Sequence, residues 1–410
     1  MPRRAAKAAQ NDRWVRLRGL LWQPPRPHGE QPPDRVVGPL ELFYDLVVVV
    51  LVAQAAGQLA VHLTAGGLGE YAAVFTLVWI AWFNGTLHHE LHGHEDVRGR
   101  IMFLLQILAL VPIGAFIPGA GGAGGRVFAA AGGVLFALLT VLWFLAARRD
   151  PPEYRRSSRL FVTGTALCAA VLAASAVLPP APRVLVWGLT GVAYLTGFSI
   201  VMATATPVQA AALTMTDALI ERFGLLIIIV LGETVTGVVN GLTRTPVDAL
   251  TLSVALVAVV AGFGAWWTYF DFAGHRPPRP GRPLTLVWML AHLPLTAAVA
   301  AMGAATVSLI HHAHDARTPA ATAWGLCTST AVVLAATALL TTSLHIWHDQ
   351  RTRYRPLSLL CVATSVLCIG VGIARPAPLV LGLALVVFFG IPWTFAVAHR
   401  VAKTETSAPV

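Results

Sequence analysis

Charge is scarce in this sequence: only 12% of its 410 residues are Asp, Glu, Lys or Arg. With 56% hydrophobic residues and a mean hydropathy of +0.69, a water-soluble fold would expose far too much apolar surface, which excludes a soluble enzyme or binding module. Cysteine is scarcer still. Cys168, Cys327, Cys361 and Cys368 all fall inside apolar runs, so neither a disulfide framework nor a cysteine metal site is expected. No cleavable leader is expected either, because the first apolar run begins near Leu40, behind a basic tail, and is long enough to span.

What fills the chain is a series of apolar runs of about 20 residues, the length that crosses a hydrocarbon layer as a helix. They read as 40–62, 70–87, 99–118, 126–147, 160–178, 183–204, 222–242, 250–272, 284–309, 321–344, 357–375 and 377–398. The expected fold is therefore an all-α polytopic membrane protein with about 12 transmembrane helices. The net charge of +10 does not point to nucleic acid, because of where the bases stand. Of the 29 Lys and Arg, only Arg126, Arg183, Arg244, Arg317 and Arg375 fall in loops on one side, one to each loop. That positive-inside pattern puts both termini in the cytoplasm.

Residues 1–38 form a Pro- and Arg-rich tail that cannot bury a core. Within it Trp14, Val15, Leu17, Leu20, Leu21 and Trp22 interleave with Arg13, Arg16 and Arg18, a pattern that could lie on an anionic leaflet. Residues 39–204 and 205–399 read as two six-helix halves, followed by a short tail, 400–410. The halves look like a repeat. ELFYDLVVVVLVA aligns without a gap on ERFGLLIIIVLGE, Glu41 on Glu221 and Phe43 on Phe223, and Trp82-Phe83 recurs as Trp266-Trp267. Equal helix numbers starting on one side imply a parallel repeat about an axis along the membrane normal.

Intramembrane acids are the candidate chemistry. Glu233 lies roughly 18 Å beyond Glu221 along a helix, near the middle of a layer about 30 Å thick. A charge there costs at least about 2.5 kcal/mol, so this carboxylate needs a partner, water or a proton. His292 reaches a similar depth from the same side, and a Glu233–His292 contact would let one proton be shared. Glu41 and Asp45 are four apart on one helix face, where two like charges favour proton uptake. The plainer readings are that Glu41 complements the helix dipole and Asp45 pairs with an Arg. Thr216 and Asp217 stand where an N-cap is expected before Arg222. Asn84 is placed inside the bundle, and Gln106, Thr163, Thr165 and Tyr194 read as polar groups satisfied across helix contacts.

The stretch FNGTLHHELHGHEDVRGR is the densest polar segment. His88, His92 and His94 are weak metal candidates, since no HExxH order or flanking Cys completes a site; a solvated, pH-responsive loop is the preferred reading. No metal or other cofactor is assigned.

ELFYDLVVVV, ERFGLLIIIVLGET, WWTYFD and AHLPL, in that order, resemble the bacterial low temperature requirement protein A family. The resemblance implies a polytopic inner-membrane protein with motif positions at Glu41, Asp45, Glu221, Arg222, Glu233, Asp271 and His292. The chain carries Ala218 where members often have His, and it is richer in His over 88–94. Two functions follow as expectations. One is a proton- or cation-coupled transporter or channel for a small solute, built on the buried carboxylates. The other is an intramembrane enzyme acting on a lipid or isoprenoid, with Glu233 or Asp45 as general acid and Trp266, Trp267 and Tyr269 facing the substrate.

Overall fold

Helix starts are set by residues suited to them. Thr64, Asp96, Thr216 and Asp248 each accept a hydrogen bond from the backbone N–H three residues on, satisfying a donor that the helix leaves free. Proline stands in the first turn of four others, where its missing N–H is no loss. The computed structural model describes residues 21–30, 35–206 and 215–406. Its twelve long helices are α1 Pro39–Val61, α2 Ala65–His92, α3 Val97–Phe116, α4 Gly125–Ala147, α5 Arg155–Ser175, α6 Pro180–Thr204, α7 Asp217–Thr243, α8 Ala249–Phe272, α9 Arg282–His311, α10 Ala320–Ser343, α11 Arg351–Ala374 and α12 Pro378–Thr406. All twelve contain a stretch long and apolar enough to cross a membrane. Most of the interleaved Trp/Arg stretch, residues 13–20, lies outside the described residues; Leu21 and Trp22 are half exposed.

The helices pack in the same order within each group of six. In the first, α1 meets α2 and α3, the contacts continue α3–α4, α4–α5 and α5–α6, and α2 touches both α4 and α6. In the second, α7 meets α8 and α9, followed by α9–α10, α10–α11 and α11–α12, while α8 touches α10 and α12. The docking of the two groups is lopsided. α1 and α2 both lie on α7 and α9, and α6 reaches α9. A two-fold axis would require the α1–α9 contact to recur between α7 and α3, and among the described residues α3 makes no contact of that extent. Through these contacts the two groups meet by different faces.

α7 and α9 approach closely along a glycine seam. A Cβ on Gly237 would stand 2.2 Å from the Gly303 carbonyl oxygen, and one on Gly303 would stand 2.5 Å from that of Glu233. One turn on, Gly241 meets Ile310. The Gly237-x-x-x-Gly241 spacing puts both small residues on one face, which lets the backbones touch.

α2 runs five residues past the predicted end at 87, because Leu87 and Leu91 stay on the buried face and Gly93 follows as C-cap. The preferred reading of a solvated His-rich loop is therefore corrected: His88 and His92 are buried helical residues.

Candidate functional site

α1 and α7 begin, and α2 ends, at the end of the bundle that carries the Arg-rich loops, and their acids and bases meet there. Arg222, in the second turn of α7, is fully buried. Its guanidinium forks onto Asp45, donating from Nη2 to Oδ1 at 2.5 Å and from Nε to Oδ2 at 3.2 Å, and its Nη1 reaches Glu41 Oε1 at 3.0 Å. The Trp82 indole donates to the same Asp45 oxygen at 2.8 Å. Asp45 thus has the plainer of its two expected roles, an Arg partner, in a place with no access to solvent.

The network extends through groups the sequence did not single out as a site. Arg35, on the segment leading into α1, bridges Glu41 (2.6 Å) and Glu90 near the end of α2. Glu90 also accepts from the hydroxyl of Thr216 at 2.7 Å, while that oxygen caps α7 through the Leu219 N–H. Glu41 Oε2 turns back onto the Gly38 N–H at 3.0 Å, as its position at a helix start suggested. Three carboxylates, Glu41, Asp45 and Glu90, face two guanidiniums, so the set carries one negative charge more than its bonded Arg partners offset. Arg26 adds a bond from outside the set, to the Glu90 carbonyl oxygen at 3.1 Å.

His89 Nε2 stands 3.9 Å from Glu41, and the same ring borders a small cavity of about 30 Å³ lined also by Gly85, His88, His92, Arg98 and Gln106. That volume suits one or two waters. At its Gly85 edge a methyl group would sit 2.8 Å from Gln106 Oε1 and 2.9 Å from the Tyr44 hydroxyl, and neither of these buried oxygens has a protein partner. Gln106, expected to be satisfied across helices, keeps its carbonyl oxygen free.

Other predicted residues go elsewhere. Glu221 is exposed, turned away from Arg222. His292 is buried and bonds Tyr269, whose hydroxyl donates to Nε2 at 3.0 Å, because the Trp288 carbonyl oxygen takes the Nδ1–H at 2.7 Å. Its ring packs on Phe223, ten residues before Glu233 on α7, or about 15 Å along the axis. The Glu233–His292 pair therefore does not form. Glu233 is half-buried near Tyr71 of α2, whose hydroxyl is held by the Ala297 carbonyl oxygen at 2.7 Å. Asp271 accepts from the Trp267 indole at 3.1 Å, and Trp266 is 38% exposed, facing outward rather than into a site. Asn84 is buried as expected and accepts from Tyr194 at 2.7 Å.

A second cluster lies beside the first. The segment 21–30 folds back over the ends of α2 and α4 and brings buried His28 onto Asp150, whose Oδ1 accepts the His28 backbone N–H at 2.9 Å. The His28 ring stacks on Tyr154. Burial first, then His92, pushes its imidazole down to about 4, against the pull of Asp150. His94, beyond the end of α2, lies outside this cluster and is partly exposed.

No curated protein matches the sequence. Residues 36–391, which hold every member of the buried network except Arg35, match the family described as bacterial low temperature requirement A protein. The chain accordingly belongs to that family.

Proposed function

We propose that this protein is a secondary transporter for a small solute, coupled to a proton or cation, and that its coupling site is the Glu41–Asp45–Arg222 cluster with Glu90 and Arg35. The observation that carries the reading is a buried charge network spanning the joint between two six-helix groups, α1 and α2 on one side and α7 on the other. Such a network holds the joint shut while its charges are matched, and the unbalanced carboxylate gives a proton or cation a reason to enter. The cavity at His89 offers a water-sized step toward Glu41. The common packing order supports reading 39–204 and 205–399 as a repeat, the architecture in which one bundle rocks against another. The Arg-rich end, with both termini, is assigned to the cytoplasm of a bacterial inner membrane. Glu233 then serves no coupling role with His292, and its place near Tyr71 is toward the opposite face.

The test uses the purified chain in liposomes with a trapped pH-sensitive dye and an imposed pH gradient. Proton flux above that of empty liposomes, lost in Asp45→Asn and Glu41→Gln, supports the proposal. Flux that survives both substitutions, or no flux in the unaltered protein, overturns it.

One observation favours lipid handling as a second reading. An open apolar groove of about 540 Å³ runs between α5 and α6, and Arg155, Arg156 and Arg159 stand at its adjoining mouth. No carboxylate is among its lining residues, so the groove suits holding an anionic lipid rather than acid catalysis on one. Retention of anionic over zwitterionic lipid through purification, lost on replacing the three Arg, would support it.

A further inference from the structure

His28, His92 and Asp150 come from three distant parts of the chain: the segment ahead of α1, the last residue of α2, and the turn after α4. All three are buried, and one ring nitrogen of each imidazole and one oxygen of Asp150 lie within 4.8 Å of one another. Hydrogen bonding accounts for one of the four imidazole nitrogens, His92 Nδ1 on the Arg26 carbonyl oxygen. Both ring nitrogens of His28 and Nε2 of His92 are buried with no partner, as is Nε2 of the neighbouring His88. Burying polar atoms this way is unfavourable unless something satisfies them.

We propose that His28, His92 and Asp150 bind a divalent transition metal of the zinc type. Two neutral imidazoles and a carboxylate are ligands zinc accepts, whereas magnesium and calcium favour all-oxygen sets. The spacing is close to what is needed. Bonds of about 2.0–2.1 Å in a tetrahedron place ligand atoms about 3.3 Å apart. His92 Nδ1 is 3.8 Å from Asp150 Oδ1 and 2.8 Å from the carbonyl oxygen of Arg26, which is positioned to serve as a fourth donor when the metal replaces the Nδ1 proton. Binding would draw ligand atoms now up to 4.8 Å apart to about 3.3 Å. Asp150 is already oriented, with Oδ1 held by the His28 N–H and Oδ2 by the Ser158 hydroxyl at 2.5 Å.

The ion would act as a clasp. Residues 21–30 form the strap that leads toward Arg35, and Arg35 bridges Glu41 and Glu90. Pinning His28 to α2 and to the turn after α4 fixes the strap on the bundle and so favours the Arg35 bridge. The inference stands on this cluster alone and does not depend on what the protein transports.

The experiment takes the full-length, untagged chain in detergent, stripped with a chelator and dialysed against zinc chloride, with bound metal counted by mass spectrometry. One zinc per chain is expected. Affinity should fall more than about tenfold in His28→Ala and in Asp150→Asn, and stay unchanged in His94→Ala. His28 precedes the first helix, so its replacement leaves the bundle intact. Cobalt in place of zinc should give the visible absorption of a four-coordinate site. Zinc should also slow proteolysis within residues 21–30 in the unaltered chain and leave it unchanged in His28→Ala. Sub-stoichiometric zinc, or one zinc per chain retained in His28→Ala, overturns the site. Zinc that binds without protecting residues 21–30 overturns the clasp.

Discussion

Replacing Arg222 with leucine removes the one base that touches both acids of α1. Glu41 keeps Arg35 at 2.6 Å, but Asp45 is left with only the Trp82 indole, at 0% exposure. Two unit charges about 3 Å apart at an effective dielectric near 20 attract by about 5 kcal/mol, and removing one partner of a buried pair typically costs about 3–5 kcal/mol. We expect Arg222→Leu to lower the unfolding free energy in detergent by about that much. The loss comes from the stranded carboxylate, so it should be repairable without restoring the base. Asp45→Asn keeps an oxygen for Trp82 and deletes the charge, and combined with Arg222→Leu it should recover half or more of the loss. A double-mutant cycle between the two positions should then give a coupling of at least about 2 kcal/mol. Arg222→Leu within about 0.5 kcal/mol of the unaltered protein would refute the reasoning, as would a double variant no better than the single one.

Gly237→Leu should cost about 3 kcal/mol or more in the same unfolding assay, because its Cβ would meet the Gly303 carbonyl oxygen at 2.2 Å, while Gly232→Ala, with nothing within 4 Å, should be neutral or slightly stabilising. Equal effects would mean the helices are not in backbone contact. Tyr269→Phe leaves buried His292 Nε2 without its donor and should lower stability by about 1–3 kcal/mol; no change in the thermal midpoint would argue against the bond. Asp248 caps α8, and its pKa is lowered below 3.8 first by the Thr251 backbone N–H, with His314 adding less. A depressed carboxylate supports the fold fully above its ordinary pKa and loses that support only as pH falls through the lower folded value. Hydrogen exchange at the Thr251 amide, corrected for intrinsic rate, should therefore be flat from pH 8 to 5 and rise in Asp248→Ala.

The bilayer explains how much was readable in advance. Hydrocarbon demands long apolar helices, so all twelve spans were visible in the sequence, and errors gathered where polar residues are covered by other parts of the chain. The run HHELH read as loop because nothing local shows that residues 21–30 fold over it. Glu41, Asp45 and Arg222 stood out as charges where charge is costly, yet their pairing spans about 180 positions and is decided by how α1 packs on α7. Arg35 and Glu90 carry no such signal in the sequence, since each joins the network only through contacts with distant segments. The Glu233–His292 expectation failed for a geometric reason. Depth counted from the two helix starts ignored that α9 sits alongside α7 with His292 level with Phe223, a full ten residues short.

The glycine seam has a mechanical consequence. Where backbone lies on backbone, at Gly237 and Gly303, sliding is resisted, and α7 and α9 would tilt together as one lever. From Arg222 to Gly237 that lever is about 22 Å long, so a tilt of roughly 5° at the charged end would sweep the far end through about 2 Å. A tilt that began at Arg222 would then reach the neighbourhood of Glu233 and Tyr71, about 16 Å along the same helix.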